Sequence, residues 1–438
     1  MATFKIPQHL GIALLITVTT FISGCVKHHE SPKVPCSSLH PVIFIHGFLA
    51  SGDTWANQVM RFSTNGYCDN LLYVYDWNSV AGTTDYTALD SFVNTVLAKT
   101  GATQVDLVGH SAGGGYGYGY CNDSLRSKKV AHYVHLASSS QNAPAGFNGN
   151  VPTLNISSPD DMVAGVTTIT GATNIQLTGK DHYQVATSEE TFGYLYKFFN
   201  NNTAPATTTF AAQSSIFISG RSVTLGNNSA ISGGSISIYE VNPASGARLN
   251  TAPDNAITTD VNGNWGPVSI KPNTTYEFEI NTNISGDRVV HYYRQGFTRT
   301  NPLVYLRTIP PSSSLAGSLL AGLSNNDDQT VLAEFTANQA VVAGRDSLSV
   351  ADTLLSTSAI TPASASVIAM FLYDANDNHV SDMTEPTIFT FLNSFLTARD
   401  MYFPTSPAGS IKLRFNGQNL FVPNLKSHTD GIAVAVFD

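Results

Sequence analysis

The stretch from Val105 to Gly114 contains the residues with the clearest potential for chemistry. Gly109, Ser111 and Gly113 match G-x-S-x-G, in which a serine stands at the tip of a sharp strand-to-helix turn. The glycines leave room for a strained backbone, and the following helix directs its N-terminal N–H groups back towards the serine. The alternative is a glycine-rich turn with an incidental serine, because a five-residue match is a weak signal by itself.

A serine hydroxyl becomes a good nucleophile only when an imidazole takes its proton and a carboxylate orients that imidazole. After this motif the carboxylate should come next along the chain and the histidine last. Asp160 and Asp161 follow the predicted strand 153–156, and two adjacent side chains cannot both face one imidazole. We expect His182, in a loop after the last predicted strand, to be the base. The competing histidines are His46, His110, His132 and His135.

Stabilising a tetrahedral oxyanion requires two N–H donors beside the serine. The residue after the nucleophile supplies the first, and a loop after an earlier strand supplies the second. The sequence therefore predicts the backbone N–H groups of Ala112 and Phe48, the latter in the turn His46-Gly47-Phe48. An ordinary tight turn after a strand is the alternative for that segment.

The composition excludes some classes of function. The 438 residues are enough for two or three domains, and only 12% of them are charged. The net charge of -9 argues against a nucleic-acid partner, which requires a basic face.

The N-terminal residues predict export. Lys5 precedes the apolar stretch 10–22, which is too short to span a bilayer, and 1–24 therefore constitute a signal peptide. Ile22-Ser23-Gly24-Cys25 resembles a bacterial lipobox, whose cysteine is acylated after cleavage. A lipid on Cys25 would tether the protein to a membrane surface. The resemblance also implies the outer membrane, because Val26 rather than an aspartate follows the cysteine. An ordinary secretory signal, giving a periplasmic or secreted protein, is the alternative.

Export permits disulfide bonds. Cys36 and Cys68 each precede a predicted strand, and parallel neighbouring strands would bring them to the same sheet edge. We therefore favour a Cys36–Cys68 disulfide with Cys121 free and buried, although three cysteines leave other pairings open.

Alternating strand and helix patterns over 25–200 predict an α/β domain with a parallel sheet between helices. The predicted strands are 42–45, 71–75, 104–108, 130–136, 153–156 and 174–177, and the predicted helices lie near 52–65, 84–99, 112–125 and 187–199. Thr187 and Glu190 match a capping box before the last of these helices. The glycines of helix 112–125 predict that it approaches the sheet closely.

The pattern changes at Asn200–Thr209, which is typical of a linker. Two all-β, sandwich-like domains are predicted beyond it, at 212–309 and 315–438. The segment 258–265, followed by Pro272 and Tyr276, resembles the transthyretin-like sandwiches of secreted proteins. In the last domain, a helical run is expected near 386–399.

Three segments together resemble the small bacterial lipases and esterases of the α/β-hydrolase fold: HPVIFIHGFLASGDTW, VDLVGHSAGG and SSPDDMV with GKDH. The resemblance covers about 36–200 and implies an α/β-hydrolase core that cleaves carboxylic esters through an acyl-serine, without metal or organic cofactor. The D-x-x-V pattern of related enzymes implies that Asp160 rather than Asp161 is the catalytic acid. The β domains are similar to the C-terminal lipid-binding regions of some lipases.

The sequence therefore favours a serine ester hydrolase, most readily a triacylglycerol lipase or esterase, with a lipid or ester substrate. No stretch between Ser111 and Asp160 is long enough for a cap domain, so we expect an open site lined by apolar residues, namely Phe48, Leu49, Trp77 and Phe147. A polyester depolymerase and a non-catalytic surface adhesion protein on a hydrolase scaffold are the alternatives.

One further segment, Asp374–Glu385, has the oxygen-ligand spacing of an EF-hand calcium loop. It has His379 where that loop requires glycine, and an Asx-rich turn is the alternative.

Overall fold

A six-stranded parallel sheet forms the first part of the computed structural model, which describes residues 36–392 and 394–438. The strand order is β2-β1-β3-β4-β5-β6. The strands are β1 (Val42–Ile45), β2 (Leu72–Tyr75), β3 (Val105–His110), β4 (Val130–Leu136), β5 (Thr153–Ser157) and β6 (Thr173–Gln176). The predicted parallel sheet between helices is confirmed, and every predicted strand lies within two residues of the observed one. The predicted signal peptide and Cys25 lie outside the described residues.

Helices cover both faces of this sheet, because successive side chains along a strand point to opposite faces and strands such as β1 and β3 are buried throughout. Val42, Val108 and Val134 belong to one apolar cluster, whereas Ile43, Leu107 and Tyr133 belong to the cluster on the opposite face. The helices are α1 (Ala56–Thr64), α2 (Tyr86–Thr100), α3 (Ala112–Cys121), α4 (Gln184–Thr187) and α5 (Glu189–Phe199).

Local details both support and correct the sequence-based predictions. The close approach of α3 to the sheet is confirmed, because a Cβ on Gly117 would come within 2.9 Å of the Tyr133 ring. The predicted capping residue of α5 is wrong by one position: Ser188 caps the helix by accepting the N–H of Thr191, whereas Thr187 ends α4. Cys36 and Cys68 form a disulfide with a Cα separation of 6.0 Å, and Cys121 is free and buried.

The rest of the chain is mainly β-structure arranged in three sheets. One has the order β10-β7-β13, one β16-β15-β19-β20, and the largest β18-β17-β14-β21-β12-β11-β8-β9. The elements are β7 (Ile216–Thr224), β8 (Ser235–Glu240), β9 (Asn255–Thr258), β10 (Asn264–Ile270), β11 (Tyr276–Asn281), β12 (Val290–Arg294), β13 (Leu306–Thr308), α6 (Leu315–Leu320), β14 (Leu332–Thr336), β15 (Leu348–Val350), β16 (Thr353–Leu354), β17 (Ala369–Tyr373), β18 (Leu396–Asp400), β19 (Ser410–Phe415), β20 (Gln418–Pro423) and β21 (Ile432–Phe437).

The eight-stranded sheet crosses the predicted boundary between the two β domains. Its strand β21, which ends one residue before the C-terminus, lies between β12 and β14 and runs parallel to both. The two β segments therefore share one sheet, which sequence periodicity did not reveal. The helix predicted near 386–399 is wrong in its second half, because residues 396–400 form β18 beside β17. Among the described residues, no helix has both the length and the apolar character to cross a membrane.

One buried carboxylate lies in this sheet without a partner. Glu334 on β14 is fully buried, and neither of its carboxylate oxygens has a hydrogen-bond partner among the described residues. Burial raises the pKa of this carboxyl to about 8, because a charge in an apolar environment is unfavourable. Glu334 is therefore protonated in the folded protein at neutral pH.

We expect Glu334 to make the protein less stable as the pH rises. Its pKa is raised on folding, so the folded state needs a proton that the unfolded state gives up above about pH 4.3. Between that value and about pH 8, the carboxyl should lower the free energy of unfolding by at most about 1.4 kcal/mol per pH unit. Thermal unfolding of Glu334→Gln should show a stabilisation over wild type that grows from pH 5 to pH 8. A stabilisation of Glu334→Gln over wild type that does not change with pH would contradict this account.

Candidate active site

Ser111 occupies the turn between β3 and α3 in a strained backbone conformation. Its φ is 53° and its ψ is −124°, a combination that non-glycine residues rarely adopt. Small neighbours make the turn possible: a Cβ on Gly109 would lie 2.8 Å from the Cα of Gly114, and one on Gly47 would lie 3.1 Å from the Cβ of Ser111. Gly109 of the motif and Gly47 of the neighbouring loop therefore allow close packing around the serine.

His182 lies in the loop between β6 and α4, with its ring against Ser111. Its Nε2 is 2.9 Å from the Oγ of Ser111. The backbone carbonyl of His182 is 2.9 Å from the Nε2 of His110, a buried residue of the serine motif. Burial, aided by the charge of His182, lowers the pKa of His110 to about 3, so His110 is neutral and can donate this hydrogen bond. His110 thus supports the His182 loop from beneath.

Asp161 is the carboxylate that faces His182. Its Oδ2 is 2.9 Å from the Nδ1 of His182, and its Oδ1 accepts the N–H groups of Val163 and Ala164 at 2.8 and 3.0 Å. Burial by itself raises the pKa of Asp161. The His182 hydrogen bond and charge and the two N–H donors outweigh this effect, so the pKa of Asp161 lies below its ordinary value. The carboxylate is consequently ionised at neutral pH and holds the imidazole with its Nε2 towards Ser111.

The expectation that Asp160 faces His182 is therefore wrong. Asp160 is exposed, and its Oδ2 accepts the N–H of Gly179 at 2.6 Å. Neighbouring side chains leave the backbone in different directions, and the turn after β5 directs only Asp161 into the site. No feature of the sequence SSPDDMV distinguishes the two, because either aspartate can cap the turn that follows.

The predicted oxyanion donors lie beside Ser111. Ala112 is the first residue of α3, and Phe48 lines the same small cavity as Ser111 and His182. Within the described part of the chain, the backbone N–H groups of Phe48 and Ala112 have no hydrogen-bond acceptor. Two such free donors near a nucleophile can bind an oxygen that becomes negatively charged.

The β region holds the loop that carries Phe48, which the sequence did not predict. The side chain of Asn228, after β7, donates to the carbonyl oxygens of Ala50 at 2.9 Å and Trp77 at 3.0 Å. Its amide oxygen accepts the hydroxyl of Ser51 at 2.6 Å, and its amide nitrogen is 3.2 Å from the Nε2 of His46. Asn228 is buried and thus joins both ends of the loop.

Charged side chains of the β region reinforce these contacts. Arg307 forms an ion pair with Asp53 and donates to the Oγ of Ser51 at 3.1 Å. Arg345 forms an ion pair with Asp181, the residue before His182, at 2.7 Å. The loops on both sides of the serine are therefore anchored outside the parallel sheet.

The C-terminal segment also covers the nucleophile, so the expected open site is wrong for this structure. The Phe395 ring lies 5.6 Å from that of His182, and Ser366 and Ile368 complete the small cavity over Ser111. Phe147, which was expected to line the site, is 48% exposed and lies outside this cavity. Trp77 instead donates its indole N–H to the His46 carbonyl at 2.9 Å.

The Asp374–Glu385 segment forms a compact loop whose oxygens accept backbone N–H groups. The two carboxylate oxygens of Asp374 accept the N–H groups of Asn378 and His379 at 3.2 and 2.6 Å. Glu385 approaches Arg399, with 3.5 Å between the closest charged atoms. These are the contacts of an Asx-rich turn. Calcium binding at this loop stays a prediction.

Three protein-family models match separate parts of the chain. A model described as Lipase (class 2) matches residues 39–116, which include the loop of Phe48 and the Ser111 turn. A model described as a lipase C-terminal domain matches residues 214–311, and a third, described as a C-terminal domain, matches residues 331–438. The match to the lipase C-terminal domain includes Asn228 and Arg307.

Comparison with solved structures finds several hydrolases that each match little more than a third of the chain. A predicted CIB-like hydrolase from Thermoplasma acidophilum is 16% identical, with a TM-score of 0.29, over 37% of this chain and 86% of its own. Naproxen esterase from Bacillus subtilis is 12% identical, with a TM-score of 0.29, over 37% and 84%. A pyrethroid hydrolase from Sphingobium faniae JZ-2 is 14% identical, with a TM-score of 0.30, over 37% and 98%.

The two adjacent aspartates provide a matched test of this geometry. A fluorophosphonate probe should label Ser111 in the wild-type protein, because His182 removes the proton as the oxygen attacks. In Asp161→Asn, the imidazole loses its orienting anion, and the labelling rate should fall by about 10³–10⁴-fold. The control Asp160→Asn should label at the wild-type rate. Equal losses in both variants would contradict the assignment of Asp161.

Proposed function

We propose that this chain, an α/β-hydrolase of the lipase and esterase type with a C-terminal β region, hydrolyses carboxylic esters through an acyl-serine at Ser111. The observation that carries the proposal is the pair of 2.9 Å contacts joining Ser111 to His182 and His182 to Asp161. A hydroxyl, an imidazole and an ionised carboxylate in this order can make a nucleophile at neutral pH.

The reaction proceeds in two steps, acylation and deacylation of Ser111. The Oγ of Ser111 attacks the ester carbonyl while the Nε2 of His182 accepts its proton, and the N–H groups of Phe48 and Ala112 bind the oxyanion. His182 then gives the proton to the departing alcohol, and an acyl-serine remains. Water attacks this acyl group with His182 again as base. The carboxylic acid leaves, and the hydroxyl of Ser111 is restored.

The residues around the cavity support an uncharged, apolar substrate such as an acylglycerol. Phe48, Ile368 and Phe395 line it, and none of its described lining residues is Asp, Glu, Lys or Arg. A lipid anchor on Cys25 at the outer membrane would bring such a site to lipid surfaces; both the anchor and the location stay predictions from the sequence.

Turnover of p-nitrophenyl esters by the purified protein tests the proposed activity. The Ser111→Ala variant should lose all but the background rate, because no hydroxyl remains to form the acyl-enzyme. Wild-type rates in Ser111→Ala would refute the acyl-serine mechanism.

Asn228 should act as a positioning residue for the oxyanion loop. In Asn228→Ala, the loop loses its contacts to Ala50, Ser51 and Trp77, and we expect kcat to fall by about 10²-fold with little change in KM. The control is Asn227→Ala, since the amide oxygen of Asn227 has no partner among the described residues. A rise in KM at constant kcat would assign Asn228 to substrate binding instead, and unchanged kinetics would leave it with a structural role only.

A further inference from the structure

Two imidazoles and one carboxylate meet where the parallel strands begin, at the opposite end of the sheet from Ser111. Asp106 lies near the start of β3, and His132, on β4, is its direct partner in the strand register. His40 comes two residues before Val42 of β1, which pairs with Asp106 from the other side. Asp106 and His132 thus lie on neighbouring strands, and His40 lies just before the strand on the other side of Asp106.

The donor atoms of these side chains converge. The Nδ1 of His132 is 2.7 Å from the Oδ1 of Asp106, and the Nδ1 of His40 is 3.5 Å from the same oxygen. All three donor atoms lie within 4.8 Å of one another. We propose that His40, Asp106 and His132 bind a divalent transition metal ion, with zinc as the expected ion.

The charge balance of the cluster favours a cation. Asp106 is only 1% exposed, and its ion-pair partners among the described residues are the two histidines, with no lysine or arginine. Neutral imidazoles leave the buried carboxylate with an uncompensated negative charge, which is unfavourable. A divalent ion would supply the missing positive charge.

The kind and number of donors favour zinc. Two imidazole nitrogens and a carboxylate oxygen suit zinc better than calcium or magnesium, which take oxygen ligands. Three protein ligands leave a fourth tetrahedral position for water. The His40 side chain is 39% exposed, so solvent and the ion can reach this position.

The donors are also held in place before any ion binds. Two of them lie on paired strands, and the His132 ring packs edge-on against Phe198 with ring centres 5.2 Å apart. The segment before His40 is fixed by the Cys36–Cys68 disulfide, and the N–H of Leu39 donates to the Cys36 carbonyl at 3.3 Å. A metal ion here would link the starts of β1, β3 and β4, at the opposite end of the sheet from Ser111. It would therefore stabilise the fold rather than take part in the reaction at Ser111.

A second cluster of carboxylates and histidine differs from this one because an arginine side chain neutralises it. Glu277, Glu279 and His291 also bring their donor atoms together. There, however, the guanidinium of Arg248 pairs with both carboxylates, at 2.6 and 2.5 Å. That cluster already contains its cation, whereas the one at Asp106 has none among the described residues.

Cobalt and zinc uptake by the purified, metal-free protein tests the proposal. Wild-type protein should bind one equivalent of Co²⁺ with the visible absorption of a four-coordinate centre, and Zn²⁺ should displace it and raise the Tm. His40→Ala should weaken Co²⁺ binding by at least about 100-fold, because it removes a ligand. The Tm of metal-free His40→Ala should stay close to that of the metal-free wild-type protein, since His40 is partly exposed. Asp106→Asn is a second variant, which replaces the carboxylate ligand by an amide.

His428→Ala is the matched control, since it removes an exposed histidine elsewhere and should leave cobalt binding unchanged. Undiminished binding in His40→Ala, or no binding by the wild-type protein, would overturn the proposal. Loss of binding in His379→Ala instead would place the ion on the Asp374 loop and would also overturn it. Ester turnover should be the same with and without zinc, so failure here is distinguishable from failure of the proposed hydrolase activity.

Discussion

A serine held at positive φ between a strand and a helix is the constraint on which this structure depends. Such a conformation costs on the order of 1–3 kcal/mol and persists only when its surroundings enforce it. Here Gly109 and Gly47 make the close packing around the turn possible: a Cβ on Gly109 would come too close to the carbonyl oxygen of Gly113, and one on Gly47 would lie 3.1 Å from the Cβ of Ser111. The strain presents the Ser111 hydroxyl to His182 and leaves the N–H of Ala112 free for an anion.

The sequence predicted the core because its signals are local. Apolar runs that alternate with helical patterns identify the six strands, and the order of Ser111 before the aspartates and His182 follows from the positions of strand ends. The choice between Asp160 and Asp161 could not be predicted, because it depends on the direction in which one turn leaves β5. Residues such as Asn228 and Arg345 were also beyond reach, since their contacts join segments more than a hundred residues apart.

The β region is part of the site rather than an appendage to it. Asn228 and Arg307 hold the loop before the serine, Arg345 holds the residue before His182, and Phe395 covers the imidazole. Buried polar contacts of this kind are costly to break, because each would leave an unpaired group. The two halves of the protein are thus coupled through the geometry of the active site.

The position of β21 has a consequence for how the chain acquires its structure. This strand follows all the other described strands in chain order, yet it lies in the middle of the eight-stranded sheet, with β12 on one side and β14 on the other. Until β21 is in place, β12 and β14 each present an unpaired strand edge, which can pair with other chains. The largest sheet of the β region is therefore completed only when β21 inserts between two other strands, so this sheet cannot be assembled strand by strand in chain order.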